Sequence, residues 1–103
     1  QAALDKSIIS FNSTVLKAIQ EVENAMSQYR NSIKQIVALS EAVNHSNETL
    51  KLSLDLYKQG LTQFQNVLDA QRTLLNYQNY LVQAQGGSIV ALIQLYEALG
   101  SGW

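Results

Sequence analysis

From Leu4 to Tyr57 apolar side chains recur at heptad spacing, and nothing in that stretch interrupts a helix. One stripe runs Leu4, Ile8, Phe11, Val15, Ala18, Val22, Ala25, Tyr29, Ile33 and Ile36, then on through Ser40, Val43, Asn47, Leu50, Leu54 and Tyr57. Heptad spacing keeps one seam turned to a partner helix along its whole length. The chain has no proline, and its first glycine is Gly60. At about 1.5 Å per residue a helix over 4–56 is on the order of 80 Å long, far beyond an ordinary globular helix of about 11–12 residues. Ser40 and Asn47 are the polar entries in this frame, and they read as a locally loosened, wetted seam.

A second stripe flanks the first at Ile9, Leu16, Ile19, Met26 and Val37. A helix with two adjacent seams touches two neighbours, as a helical sheet or closed barrel requires and a simple dimeric coiled coil does not. After Gly60 the pattern resumes. Val67, Ala70, Leu74, Tyr77, Leu81 and Ala84 form one seam, and Phe64, Leu68, Leu75, Val82 and Ile89 the other. Gly60 alone between the two runs takes positive φ at no steric cost. The expected fold is therefore all-α: a long antiparallel coiled-coil hairpin, with a helix over about 4–56, a turn over about 57–63 and a returning helix over about 64–99. Gly86 and Gly87 are expected to weaken or kink the returning helix, at about 1 kcal/mol each relative to alanine. Gly100 is expected to end it as the residue just past the last turn. One hairpin leaves the second seam of each helix open, so it must pack on other chains or on further parts of its own chain.

Composition narrows the function. The 103 residues hold no cysteine and one histidine, and the net charge is −1. Neither a disulfide framework nor a thiolate metal site is available, and a lone His45 makes no two-histidine metal site. His45 reads as a solvated helix residue. A near-neutral balance argues against nucleic acid or an anionic membrane as partner. The polar faces lack the lysine and arginine enrichment of membrane-surface helices. No apolar stretch approaches the roughly 20 residues of a spanning helix. The start, "QAALDKS", has neither the basic nor the apolar region of a signal peptide, and the chain reads as an internal or processed piece. Matches to the glycosylation pattern at Asn12, Asn44 and Asn47 lie inside the expected packed helix of a segment rich in Asn and Ser, and chance accounts for them. Glu41 and Glu48 share a helical face, but no base, nucleophile or phosphate loop accompanies them. No enzyme and no cofactor is expected.

The string "YKQGLTQFQNVLDAQRTLLNYQNYLVQAQG", with "ALIQLYEALGSGW" at the end, resembles the C-terminal part of the outer-membrane factor family, the TolC-like efflux channels of Gram-negative bacteria. The resemblance covers nearly the whole chain. It implies a homotrimer with a β-barrel in the outer membrane and a long α-helical barrel across the periplasm, of which residues 1–103 are one periplasmic hairpin segment. It implies export of small molecules together with a periplasmic adaptor protein and an inner-membrane pump. Gly60, Leu61 and Thr62 then form the tip that meets the adaptor. Asp69 resembles a lumen-facing acid near the pore constriction, where a trimer places three carboxylates in a ring, and Tyr57 is placed to hydrogen-bond across the tip in the closed state. Two departures stand out: Asn66 where some members carry a second acid, and Thr62 where some carry a base. The competing reading is a structural or assembly hairpin without a transport role, in which Gly60 serves only as a turn.

Overall fold

The computed structural model describes residues 2–101. Two helices make up the fold: α1, Ala2–Lys58, of 57 residues, and α2, Phe64–Ser101, of 38. They run antiparallel and reverse around Gly60, in a rod measuring 87 × 17 × 15 Å. A 57-residue helix has a length of about 85 Å, so α1 sets the long dimension.

The inner seam of α1 is a strict seven-residue repeat. One row is Ala18, Ala25, Ser32, Leu39, Ser46 and Ser53, and its companion is Val22, Tyr29, Ile36, Val43 and Leu50; all are buried or half-buried. On α2 the seam is Val67, Ala70, Leu74, Tyr77, Leu81, Ala84, Ser88, Ala91, Leu95 and Ala98, again buried or half-buried throughout. Much of this seam is alanine and serine. Short side chains let two helix axes approach closely, so each residue removes modest area from water while the backbones pack tightly. Two of the seam hydroxyls, those of Ser32 and Ser88, bond within their own helices. Ser32 Oγ donates to the Tyr29 carbonyl at 2.6 Å within its own helix, the local bonding that serine can adopt in a helix.

This seam corrects the frame read from the sequence beyond Tyr29. Ile33, Asn47 and Leu54 are exposed and Ser40 is half-buried, whereas Ser32, Leu39, Ser46 and Ser53 hold the corresponding inward positions. A step of four from Tyr29 reaches the large side chain of Ile33. The inner row instead steps by three, to Ser32, seven residues after Ala25. Ile33, Asn47 and Leu54 continue the row begun by Ile19 and Met26, so they belong to the second stripe.

α2 runs unbroken through Gly86 and Gly87 and one residue past Gly100. The flanking seam residues Ala84, Ser88 and Ala91 stay packed on α1, and tertiary packing of this kind overrides a propensity cost of about 1 kcal/mol per glycine. Gly100 therefore lies within the helix and does not follow its end. Gly102 and Trp103, the last residues of the terminal motif, lie outside the described residues.

Packing is thin. No described side chain is completely buried, and the accessible surface is 7889 Å². A compact protein of this mass exposes about 5,800 Å². From Ala2 to Lys17 every described residue is exposed, including Leu4, Ile8, Phe11 and Val15, which stand in line with the inner seam but meet no partner helix.

Candidate functional site

The tip is built by backbone hydrogen bonds. The Leu61 amide donates to the Leu56 carbonyl at 2.8 Å, and the Gly60 amide to the Tyr57 carbonyl at 2.9 Å. These two bonds, spanning five and three residues, are the paired bonds of a Schellman motif, with Gly60 just past the helix end. Gly60 has φ +74°, the one positive φ among the described residues. That conformation is why the position takes glycine, because a Cβ there meets the adjoining carbonyl. The space around it is open: an added Cβ would have nothing within 4 Å. Strain in the backbone, and not crowding inside the hairpin, is what restricts this position.

Leu61 follows as the most projecting apolar residue of the turn, 68% exposed. Thr62 is half-buried, and its hydroxyl accepts a hydrogen bond from the Asn66 side-chain amide at 2.6 Å. The Asn66 backbone amide bonds to the Gln63 carbonyl, closing the first turn of α2. Asn66, which departs from an acid in the resemblance, thus serves here to tie the tip to the helix that leaves it. Gly60, Leu61 and Thr62 are brought together in one narrow reversal.

Tyr57 and Asp69 are placed differently. Tyr57 packs its ring against Phe64 across the turn, with centroids 5.1 Å apart and planes at 51°, a tilted geometry favourable for aromatic pairs. Asp69 lies about a turn and a half farther along α2. Its carboxylate accepts from Gln65 Nε2 at 3.1 Å, and its carbonyl accepts from the Thr73 hydroxyl. It borders a groove shared with Ser46, Thr49, Asn66 and Thr73, and it is exposed. The structure brings Asp69 to side-chain amides of α2 and to a groove lined by hydroxyls of both helices, and Tyr57 to an aromatic partner. The roles of Phe64 and Gln65 were not read from the sequence. The signal for Gln65 is its spacing of four from Asp69, which places two side chains on one helix face.

Little chemistry beyond polar contact is available. Among the described residues no three His, Asp or Glu side chains converge as metal ligands, and no described helix is long and apolar enough to cross a membrane. His45 is exposed. What the site offers is a narrow, fixed reversal with an apolar residue at its crest and a carboxylate set back from it.

Comparison with known proteins gives a consistent family. The model of the outer membrane efflux protein family matches residues 1–101. The solvent efflux pump outer membrane protein SrpC of Pseudomonas putida is 33% identical over 99 residues, covering 96% of this chain and 21% of that protein. Outer membrane protein OprJ of Pseudomonas aeruginosa is 30% identical over 103 residues, 100% of this chain and 22% of that protein. The cation efflux system protein CusC of Escherichia coli is 30% identical over 98 residues, 95% of this chain and 21% of that protein. The chain thus spans about a fifth of the length of the curated relatives it matches. No solved structure matches significantly.

Proposed function

The chain belongs to the outer membrane efflux protein family, and we propose that it forms one periplasmic hairpin in the tunnel of a trimeric efflux channel. The channel sits in the outer membrane of a Gram-negative bacterium and works with a periplasmic adaptor and an inner-membrane pump. The observation that carries this reading is the 87 Å hairpin whose second apolar stripe is left exposed by the described residues. A rod of that kind is a stave, with an apolar face left for other staves to cover. A free-standing structural hairpin gives no reason for a second seam on both helices, and outer membrane proteins of solvent and toluene efflux pumps match 96% of the chain. The chain is assigned a conduit role, with no catalysis.

In this reading Gly60, Leu61 and Thr62 are the adaptor-contacting tip, and Tyr57 and Asp69 belong to the pore constriction. In the full-length protein, Gly60→Trp forces a bulky side chain into a positive-φ position at the crest. Export is expected to be lost while trimers still reach the outer membrane, checked by a drug-susceptibility assay beside an immunoblot of unboiled membranes. Normal export by this variant overturns the tip assignment. For the constriction, Asp69→Ala is expected to change conductance or cation preference in planar bilayers at normal trimer yield, because three carboxylates in one throat attract cations. Unchanged conductance and selectivity would return Asp69 to the role of an ordinary solvated residue.

A further inference from the structure

Leu61 is an apolar side chain held out into water at the crest of the reversal. Two ties flank it, one to each helix. On the α1 side its own amide donates to the Leu56 carbonyl at 2.8 Å. On the α2 side the Asn66 side-chain amide reaches back four residues and donates to the Thr62 hydroxyl at 2.6 Å. The second tie has no backbone counterpart. Among the described residues, the backbone bonds of the reversal run from Gln59 to Asp55, Gly60 to Tyr57, Leu61 to Leu56 and Asn66 to Gln63, and Thr62 takes part in none of them. Below the crest the Tyr57–Phe64 ring pair closes the neck between the helices, but it does not hold residue 62. Asn66 is exposed, and water satisfies an exposed amide, so the bond adds little to the stability of the hairpin. Its effect is on conformation. A side chain reaching back from the first turn of a helix, as in a capping box, fixes the angle at which the chain enters it.

We propose, resting on the reading of Gly60, Leu61 and Thr62 as the adaptor-contacting tip, that Asn66 is a positioning residue for adaptor docking. Through Thr62 it fixes the crest, so that Leu61 is in place before the adaptor arrives. The physical reason is preorganisation. A loop that becomes ordered only on binding loses conformational freedom at that moment, and the loss is subtracted from the affinity. A loop held from both helices has lost that freedom on folding. The tie therefore acts on the affinity for the adaptor, and flow through an assembled duct does not depend on it. Both partners are uncharged, so salt does not loosen the crest as it would loosen an exposed ion pair.

The test is made in the full-length channel with its adaptor and pump. Asn66→Ala removes the donor and is expected to weaken binding of the adaptor to the purified trimer about three- to tenfold, the loss that goes with one hydrogen bond. Drug resistance falls with it, at unchanged trimer yield. Raising adaptor expression is expected to restore resistance, because mass action offsets a lower affinity, whereas a defect in conduction does not respond to it. Asn66→Asp is expected to keep binding within about twofold of the parent, since its carboxylate accepts from the Thr62 hydroxyl with the roles reversed. In a Thr62→Ala background, Asn66→Ala is expected to cost nothing further, because the two residues share one interaction. Normal adaptor binding by Asn66→Ala overturns the inference. So does a full additional loss in the Thr62→Ala background, a fall in trimer yield, or a defect that excess adaptor leaves in place. Leu61→Asp separates this outcome from the tip reading. If Leu61→Asp binds the adaptor normally, the tip reading itself fails. If it loses binding while Asn66→Ala keeps it, the tip stands and the positioning role of Asn66 fails.

Discussion

The tip and the shaft are held by different physics. At the tip, position is set by a few backbone hydrogen bonds and by one glycine in a left-handed conformation. Along the shaft it is set by many small and medium side chains, none completely buried. The tip is therefore a local structure whose form depends on a single residue, while the shaft is a distributed one in which each contact contributes little.

Overturning that comparison calls first for a change in the shaft. Val67 is 3% exposed and is the most buried of the core residues. Val67→Asp places an unpaired carboxylate in the seam, at a cost of about 3 kcal/mol or more. For a hairpin with so little buried area this is expected to abolish cooperative helix melting, followed by circular dichroism during urea titration at fixed dilute concentration. A midpoint close to that of the parent chain would mean that the α1–α2 seam does not hold the hairpin together.

A smaller pair of effects sharpens the position of the seam. Ser46 is buried and its neighbour Asn47 is exposed. Ser46→Leu forces extra methylene groups between closely spaced helices and is expected to destabilise by about 1–3 kcal/mol. Asn47→Leu serves as its control and is expected to stay within about 0.5 kcal/mol, as a surface change does. The reverse order, read from the same urea titration, would restore the frame in which Asn47 faces the partner helix.

That pair also marks where sequence and structure part. Two helices, their antiparallel reversal at Gly60 and the open second stripe were all legible, because an unbroken apolar repeat and one glycine are strong signals. Ile9, Leu16, Ile19 and Met26 on α1, and Phe64, Leu68, Leu75 and Val82 on α2, are indeed exposed. The inner row beyond Tyr29 was not legible. Ser32, Ser46 and Ser53 carry no hydrophobic signal, and what places them inward is the room that close helix packing leaves. Ile33 and Leu54 drew the frame toward themselves by size. At the site, the turn was readable from Gly60, but the Tyr57–Phe64 ring pair and the Thr62–Asn66 bond depend on how two helices meet at the reversal, which heptad spacing does not encode.

A small loss is also expected at the tip, and it separates strain from contact. Gly60→Ala adds one methyl group at φ +74°, where nothing lies within 4 Å of it. Crowding therefore contributes nothing, and the cost is that of holding an L-residue in the left-handed region, about 1 kcal/mol. That is no more than the shaft loses from a single overpacked serine, even though Gly60 alone directs the reversal. The chain can absorb this cost, since the bonds from Leu61 to Leu56 and from Gly60 to Tyr57 both remain available to alanine. Gly60→Ala is thus expected to lower the urea midpoint slightly and leave helix content unchanged. In the full-length channel it is expected to retain most export, where Gly60→Trp loses it. If Gly60→Ala abolished export as completely as Gly60→Trp, the adaptor would be reading the backbone conformation of the tip and not the space around it.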